Sequence, residues 1–112
     1  LQDARAAAVA LAETGYAAPQ PRTIPAAGEA ALPNLKLGIH LMRQADFISD
    51  HDATVATHIA GILCGGAVTP GSLITEQSLL DLEREAFLSL CGERKTQERI
   101  AYTLKTGKPL RN

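Results

Sequence analysis

Two histidines, His51 and His58, lie seven residues apart in a segment with helical composition. Seven residues advance about 10 Å along a helix axis, whereas zinc needs nitrogen ligands at about 2.0 to 2.1 Å. One ion therefore cannot join the pair, and we predict no metal site. We expect His51 to be a surface residue of the first helical turn and His58 to be a packed histidine. His40 has no partner suggested by the sequence.

The other residue types that could do chemistry lack the required spacing. Two acid pairs, Asp50/Asp52 and Glu83/Glu85, are two residues apart on predicted helices, so their carboxylates diverge. Cys64 and Cys91 form no CxxC motif, and we predict free, buried thiols. Neither a phosphate-binding glycine loop nor a dinucleotide-binding fingerprint occurs. Residue types and spacing therefore predict no catalytic constellation.

Glu83 is an exception because it stands near the middle of an apolar arc. At about 100° per residue, one side of the helix around it collects six apolar residues, which are Leu79, Leu80, Leu82, Ala86, Phe87 and Leu90. A buried carboxylate is costly unless it is paired or hydrogen-bonded. We therefore predict that Glu83 is a structural clamp with a cationic partner, to be sought among Arg84, Arg94 and Arg99.

The elements that position these residues are all helical. Alanine-rich composition, caps and glycine stops predict five helices, at 2–14, about 30–45, 50–64, 76–91 and about 95–106. Ser49 and Thr75 are expected N-caps, and the 65–75 segment is expected to be a turn and loop. The prediction is an all-α helical segment covering 1–112, with a first helix at 1–15, a proline-rich connector at 16–28 and four helices in 29–112.

Two of these helices have apolar patterns that predict their packing. The third helix should bury one stripe, which consists of Val55, Ile59, Ile62 and Leu63. The second helix has apolar residues on two sides, with Leu37 and Leu41 on the second side. One neighbouring element cannot cover both sides.

Bulk composition narrows the class of protein. The 112 residues suffice for one small core, and a formal net charge of −1 without a basic block disfavours nucleic-acid and membrane-surface partners. No apolar run approaches the roughly 20 residues of a membrane span. We expect a cytoplasmic protein. The chain begins at Leu1 without a methionine, so we also expect a piece of a longer protein.

The last thirty residues carry a resemblance to a known family. Glu83 and Phe87 on one helix, followed by a helix with Glu98, Ala101, Tyr102 and Lys105 and then Pro109, resemble the C-terminal end of the enoyl-CoA hydratase (crotonase) family. The departures are Arg99, Leu104, Thr106 and one extra residue before Lys108-Pro109. Within that superfamily, the ending looks most like bacterial bifunctional fatty-acid oxidation proteins, in which 3-hydroxyacyl-CoA dehydrogenase is fused to enoyl-CoA hydratase.

The resemblance implies a function for the parent protein and a limited one for this segment. The parent would hydrate a trans-2-enoyl-CoA and oxidise the 3-hydroxyacyl-CoA with NAD in fatty-acid β-oxidation. The segment itself would hold no catalytic residue and no cofactor, because the catalytic groups of the family precede the terminal helices. It would cover the acyl-CoA pocket and form contacts in a homo-oligomer. Its partners would be the upstream crotonase core and dehydrogenase domain.

The resemblance also assigns roles to particular residues. Lys105 matches a family lysine that contacts the CoA phosphates, and Lys108 is a second candidate. Glu83 and Phe87 take structural roles, with Glu83 holding the terminal helices together or reaching across a subunit boundary.

Two other classes remain open from the sequence. One is a free-standing helical protein-interaction module that uses the two-sided second helix. The other is a lone acyl-CoA or lipid carrier, which is less favoured because the chain has few aromatic residues. An upstream reading frame containing a dinucleotide-binding motif would distinguish the enzyme from both.

Overall fold

The computed structural model describes residues 1–112 and contains five α-helices and one small β-ribbon. The helices are α1 (Gln2–Glu13), α2 (Leu32–Gln44), α3 (Asp50–Leu63), α4 (Glu76–Cys91) and α5 (Arg94–Thr106). A 3₁₀ turn, Glu29–Ala31, leads into α2. The strands are β1 (Thr23–Pro25) and β2 (Leu73–Thr75). The all-α prediction with five helices is confirmed, and none of the helices has the length and apolar character needed to cross a membrane.

Local sequence signals set the helix ends. Ser49 caps α3, because its hydroxyl accepts from the Asp52 backbone N–H at 3.1 Å while the Asp52 carboxylate accepts from the Ser49 N–H at 2.9 Å. This reciprocal pair satisfies two donors that a helix start otherwise leaves free. Thr75 caps α4 through the Ser78 N–H. Gly107 ends α5 in the left-handed conformation, at φ 68°.

The β-ribbon is absent from the sequence prediction. β1 and β2 pair antiparallel, with Thr23 opposite Thr75 and Pro25 opposite Leu73. The segments predicted as a proline-rich connector and as a turn and loop at 65–75 therefore pair with each other. Three-residue strands show too little alternation to be read from sequence, and their pairing is between residues about fifty positions apart.

Backbone hydrogen bonds extend the contact beyond the ribbon. The Ala26 N–H donates to the Ser72 carbonyl at 2.9 Å, and the Gly71 N–H donates to the Ala26 carbonyl at 2.8 Å. The Gly28 N–H donates to the Cys64 carbonyl at 2.9 Å, which ties the connector to the end of α3. The segment before α2 is thus fixed against the α3–α4 connection.

The fully buried set is small and consists of small residues and one histidine. Only 6 of 112 residues are buried, and Ala26, Ala60 and Cys64 form the apolar part. The predicted α3 stripe is wrong in part, because Ile59 and Leu63 are exposed. Ala60 within α3 and Cys64 directly after it are buried instead, and the Ile59 and Leu63 side chains lie on a side that no element of this chain covers.

Two helices leave much of their surface uncovered. Leu37 and Leu41 on α2 are each 57% exposed, as expected for a helix with one neighbour. Every residue of α1 is exposed. The molecule extends 57 × 43 × 22 Å, which is flat and elongated for a chain of this length.

Gly28 is a position where the fold requires glycine. Its φ is +76°, and an added Cβ would lie against the Pro70 backbone nitrogen, 2.7 Å from Pro70 Cα and 2.8 Å from the Thr69 carbonyl carbon. Gly71 has a similar φ of +82°, but a Cβ there would meet no atom within 4 Å. A positive φ therefore disfavours alanine at both positions, whereas a steric clash arises at Gly28 alone.

We predict that Gly28→Ala is much more destabilising than Gly71→Ala. At Gly28 the backbone stands at φ 76° and ψ 173°, a conformation essentially limited to glycine that costs other residues about 1–3 kcal/mol, and the clash adds roughly 1–3 kcal/mol. At Gly71 only the positive φ disfavours alanine, by about 1–2 kcal/mol. Urea unfolding of both variants measures the difference. Equal losses would show that the connector does not lie against Thr69 and Pro70.

Candidate functional site

The polar contacts of the chain concentrate where the start of α3 meets α5 and the C-terminal residues. Arg99 projects from α5 and donates through Nη1 to Asp52 Oδ1 at 2.8 Å and through Nη2 to Ser49 Oγ at 3.3 Å. Its Nε donates to Asn112 Oδ1 at 2.7 Å. The planar guanidinium thus joins a helix start and the chain end, a geometry that the five fixed donors of arginine favour.

The capping box prepares Asp52 for this contact. The Ser49 backbone N–H and the Arg99 guanidinium, in that order of effect, lower the pKa of the Asp52 carboxyl to about 2. Its side chain is 25% exposed and that of Arg99 is 23% exposed, so the pair is shielded better than a surface ion pair. The residues that donate to Asp52 stabilise its charged form, and the shift follows from structure and not from a substrate site.

Asn112 closes the same network from the other side. Its amide nitrogen donates to the Lys95 carbonyl at 3.2 Å and to Glu98 Oε2 at 3.1 Å. Nearby, the Arg111 guanidinium donates to the Phe47 carbonyl at 3.0 Å. The residues after α5 are therefore attached to both α5 and the α2–α3 connection.

His51 is the main residue that sequence reasoning misplaced. It is 2% exposed, and its Nε2 lies 2.9 Å from Thr96 Oγ1. Its Nδ1 lies 3.6 Å from the carboxylate of Glu93, the residue that precedes α5. The prediction of a surface histidine is wrong because α5 returns over the first turn of α3, and only tertiary packing brings it there.

A carboxylate, an imidazole and a hydroxyl stand in a row here, on Glu93, His51 and Thr96. These are the side-chain types found in nucleophilic sites. None of the three lines any of the three main cavities of the structure. A nucleophile needs room for a substrate beside it. We therefore assign this row to packing between α3 and α5.

A groove lies between α3 and α4. It has a volume of about 450 Å³, and the small residues Gly61, Gly66 and Ala86 are among those that line it. His58 and Glu85 line it, so His58 is half-buried at a groove and not enclosed in a core. No three His, Cys, Asp or Glu side chains of the chain cluster as metal ligands. Both cysteines are free thiols; Cys64 is buried, whereas Cys91 is partly exposed.

Glu83 does not have the intrachain partner predicted for it. It is exposed, and the three arginines proposed as partners pair elsewhere: Arg84 with Asp81, Arg94 with Glu98 and Arg99 with Asp52. The covered side of α4 is centred on Leu79, Leu82, Ala86 and Leu90, which leaves Glu83 on its flank. Phe87 is 59% exposed on the same flank. A structural role for Glu83 and Phe87 against another polypeptide segment stays a prediction.

The two candidate CoA-phosphate lysines lie at the exposed end of α5. Lys105 is in the last helical turn, and Lys108 follows the left-handed Gly107. The Thr103 hydroxyl donates to the Lys108 carbonyl at 3.2 Å, and the Lys108 N–H donates to the Thr106 hydroxyl at 3.2 Å. The backbone at Lys108 is thus held while neither ammonium group forms an ion pair. Both charges are free to meet an anion.

Comparison with other proteins relates the chain to one enzyme. It is 42% identical over all 112 residues to a protein of Bacillus subtilis (strain 168) named probable 3-hydroxyacyl-CoA dehydrogenase. The chain spans 14% of that relative's length. No protein-family profile matches the chain, and no solved structure matches it. The relation to 3-hydroxyacyl-CoA dehydrogenases that the C-terminal residues suggested is confirmed.

The low pKa of Asp52 predicts a specific pH dependence of stability. Because the folded-state pKa is near 2 and the ordinary value is 3.8, the contribution is present above about pH 4 and is lost as the pH falls toward 2. At neutral pH we expect Asp52→Asn to lower the free energy of unfolding by roughly 1–2 kcal/mol. The loss should shrink as the pH is lowered from 4 to 2.

Asp81→Asn is the matched control, because Asp81 pairs with Arg84 at 3.0 Å on an exposed helix face. An exposed pair of this kind contributes about 0–1 kcal/mol. Urea unfolding of both variants across this pH range measures the effect. If the loss of unfolding free energy in Asp52→Asn did not change with pH, the Asp52–Arg99 pair would not be stabilising the fold.

Proposed function

We propose that this chain is the C-terminal helical part of a fatty-acid β-oxidation enzyme that combines 3-hydroxyacyl-CoA dehydrogenase with enoyl-CoA hydratase. In that enzyme it covers the acyl-CoA pocket and forms contacts in a homo-oligomer, without carrying catalytic residues itself. The observation that supports this most is the 42% identity to a probable 3-hydroxyacyl-CoA dehydrogenase over every residue of the chain.

The surface of the chain supports a covering role. Large apolar side chains are exposed on α2, α3, α4 and α5, while 6 of 112 residues are buried. A soluble domain with this balance would leave more apolar surface in water than monomers usually tolerate. Helices that lie on a larger core would bury this apolar surface. Leu37 and Leu41 on α2 and Leu88 on α4 are the residues we assign to subunit contacts.

The proposed contact with substrate is electrostatic and lies at the end of α5. CoA carries phosphate groups, and lysine ammonium groups bind phosphate as point charges. Lys105 and Lys108 are three residues apart around a fixed turn, and both ammonium groups lack a carboxylate partner. NAD and the CoA thioester would be bound mainly by the parts of the parent enzyme outside these residues.

The free-standing interaction module is a weaker alternative. Its support is the two-sided α2, but the same exposed leucines fit a helix that lies between a core and a second subunit. The protein to which the chain is similar carries the name of an enzyme. We therefore favour the enzyme segment.

We predict that Lys105→Ala in the full-length enzyme raises the KM for acyl-CoA substrates several-fold with little change in kcat. The lysine would bind substrate and transition state equally, so only binding is lost. Lys36→Ala on α2 is the control for loss of one positive charge. Steady-state kinetics at low salt measures the effect, and an unchanged KM would exclude Lys105 from the substrate site.

We also predict that the isolated 112-residue chain does not hydrate crotonyl-CoA or oxidise 3-hydroxybutyryl-CoA with NAD. The resemblance places the catalytic groups before the terminal helices. Absorbance assays with the purified chain test this against buffer alone. Turnover above the buffer rate would contradict the assignment of a covering role.

A further inference from the structure

α4 carries an exposed stripe that the folding of this chain does not use. Leu80 and Phe87 are 45% and 59% exposed, and seven residues bring them back to within about 20° of one another around the helix. Glu83 lies between them along the axis and is also exposed. We name these three residues the Glu83 stripe.

Leu80 and Phe87 lie apart from the side of α4 that packs within the chain, and the exposed Glu83 lies between the two sides. Leu79, Leu82, Ala86 and Leu90 form that packed side, and the Leu82 side chain approaches Gly66 in the connection after α3. Two apolar sides on one helix require two neighbours. The second neighbour of α4 is therefore absent from these 112 residues.

The negative charge of Glu83 indicates which residue types this neighbour must present. The Glu83 side chain forms no hydrogen bond or ion pair within the chain, and Arg84 beside it is held by Asp81 at 3.0 Å. A carboxylate that becomes covered by an apolar surface needs a cation or hydrogen-bond donors opposite. The matching surface must then combine apolar side chains with an arginine or a lysine.

A second copy of α4 does not meet this requirement. A symmetric pairing through the stripe would bring the two Glu83 carboxylates toward each other, and facing like charges disfavour association. Most of the length of the related dehydrogenase lies outside the part that this chain matches. The parent polypeptide thus has ample chain to supply a different surface.

We propose that the Glu83 stripe docks on a part of the parent polypeptide outside these 112 residues, which presents apolar side chains and one arginine or lysine to the Glu83 carboxylate. This inference rests on the proposed function, because it takes its occupant from the longer enzyme. It adds to that function the contact by which α4 is attached. The same contact gives Glu83 the structural role that it lacks within the chain.

The first test is photo-crosslinking in the purified full-length protein. A benzophenone amino acid replaces Phe87, and mass spectrometry identifies the crosslinked peptide after irradiation. We expect a peptide from outside these 112 residues. Crosslinks to α4 of a second copy, or no protein crosslink, would overturn the proposal.

Glu85 provides the matched crosslinking control. It is exposed on the same helix and lies about 160° around the axis from Phe87. The same photoreactive amino acid at Glu85 should not capture the peptide that Phe87 captures. Capture of that peptide from both positions would show nonspecific proximity and would also overturn the proposal.

The second test uses charge reversal in the full-length protein. Glu83→Lys sets two cations against each other and should lower Tm by roughly 5 °C or more, and Glu83→Gln should lower it less. Glu85→Lys reverses a neighbouring exposed charge that lies outside the stripe, and we expect Tm to stay within about 1 °C. Equal shifts for Glu83→Lys and Glu85→Lys would contradict a paired Glu83.

The third test is a charge swap in the full-length protein. Replacing the cation found by crosslinking with glutamate should restore most of the Tm lost in Glu83→Lys, because coupled residues show non-additive effects. Failure of these tests with an intact Lys105 effect on KM would reject the docking and leave the proposed function. A parent reading frame without a dehydrogenase region would instead reject the proposed function.

Discussion

The ion pair between Asp52 and Arg99 holds α5 against the start of α3. It joins residues 47 positions apart at 2.8 Å and is among the few polar contacts between α3 and α5. The Asp52 carboxylate is first oriented by its own helix cap, and the guanidinium then adds Ser49 and Asn112 to the same cluster. Because α5 is held in this way, it covers His51 and positions the exposed turn that carries Lys105 and Lys108.

Apolar packing contributes less to this arrangement than a helical chain of 112 residues would suggest. The buried apolar set is limited to alanine and cysteine side chains, whereas most leucine, isoleucine and phenylalanine side chains keep substantial exposure. Backbone hydrogen bonds from the connector to the α3–α4 connection, and the polar cluster at α5, therefore hold much of the fold. In the proposed enzyme, the exposed leucines would gain burial against a larger core.

The perturbed acids of the chain support structure more than chemistry. Arg43 lowers the pKa of Asp50 through a hydrogen bond, and the Ser49 N–H and Arg99 lower that of Asp52. Shifts of this kind mark a functional site only when the group also faces a cleft with room for a substrate. Lys105, Lys108 and Glu83 are exposed and form no ion pair within the chain, so their proposed roles depend on contacts beyond these residues.

The sequence by itself determined the helices and their ends, because capping and glycine termination act within a few residues of each other. Ser49 and Thr75 begin α3 and α4 as expected, and Gly107 ends α5. It also determined the relation to 3-hydroxyacyl-CoA dehydrogenases through the residues of the last two helices. Only the tertiary structure decided which side of each helix is covered. The burial of His51, the exposure of Glu83, the Asp52–Arg99 pair and the β-ribbon all depend on residues brought together from distant positions, and one helix wheel contains no information about its neighbours.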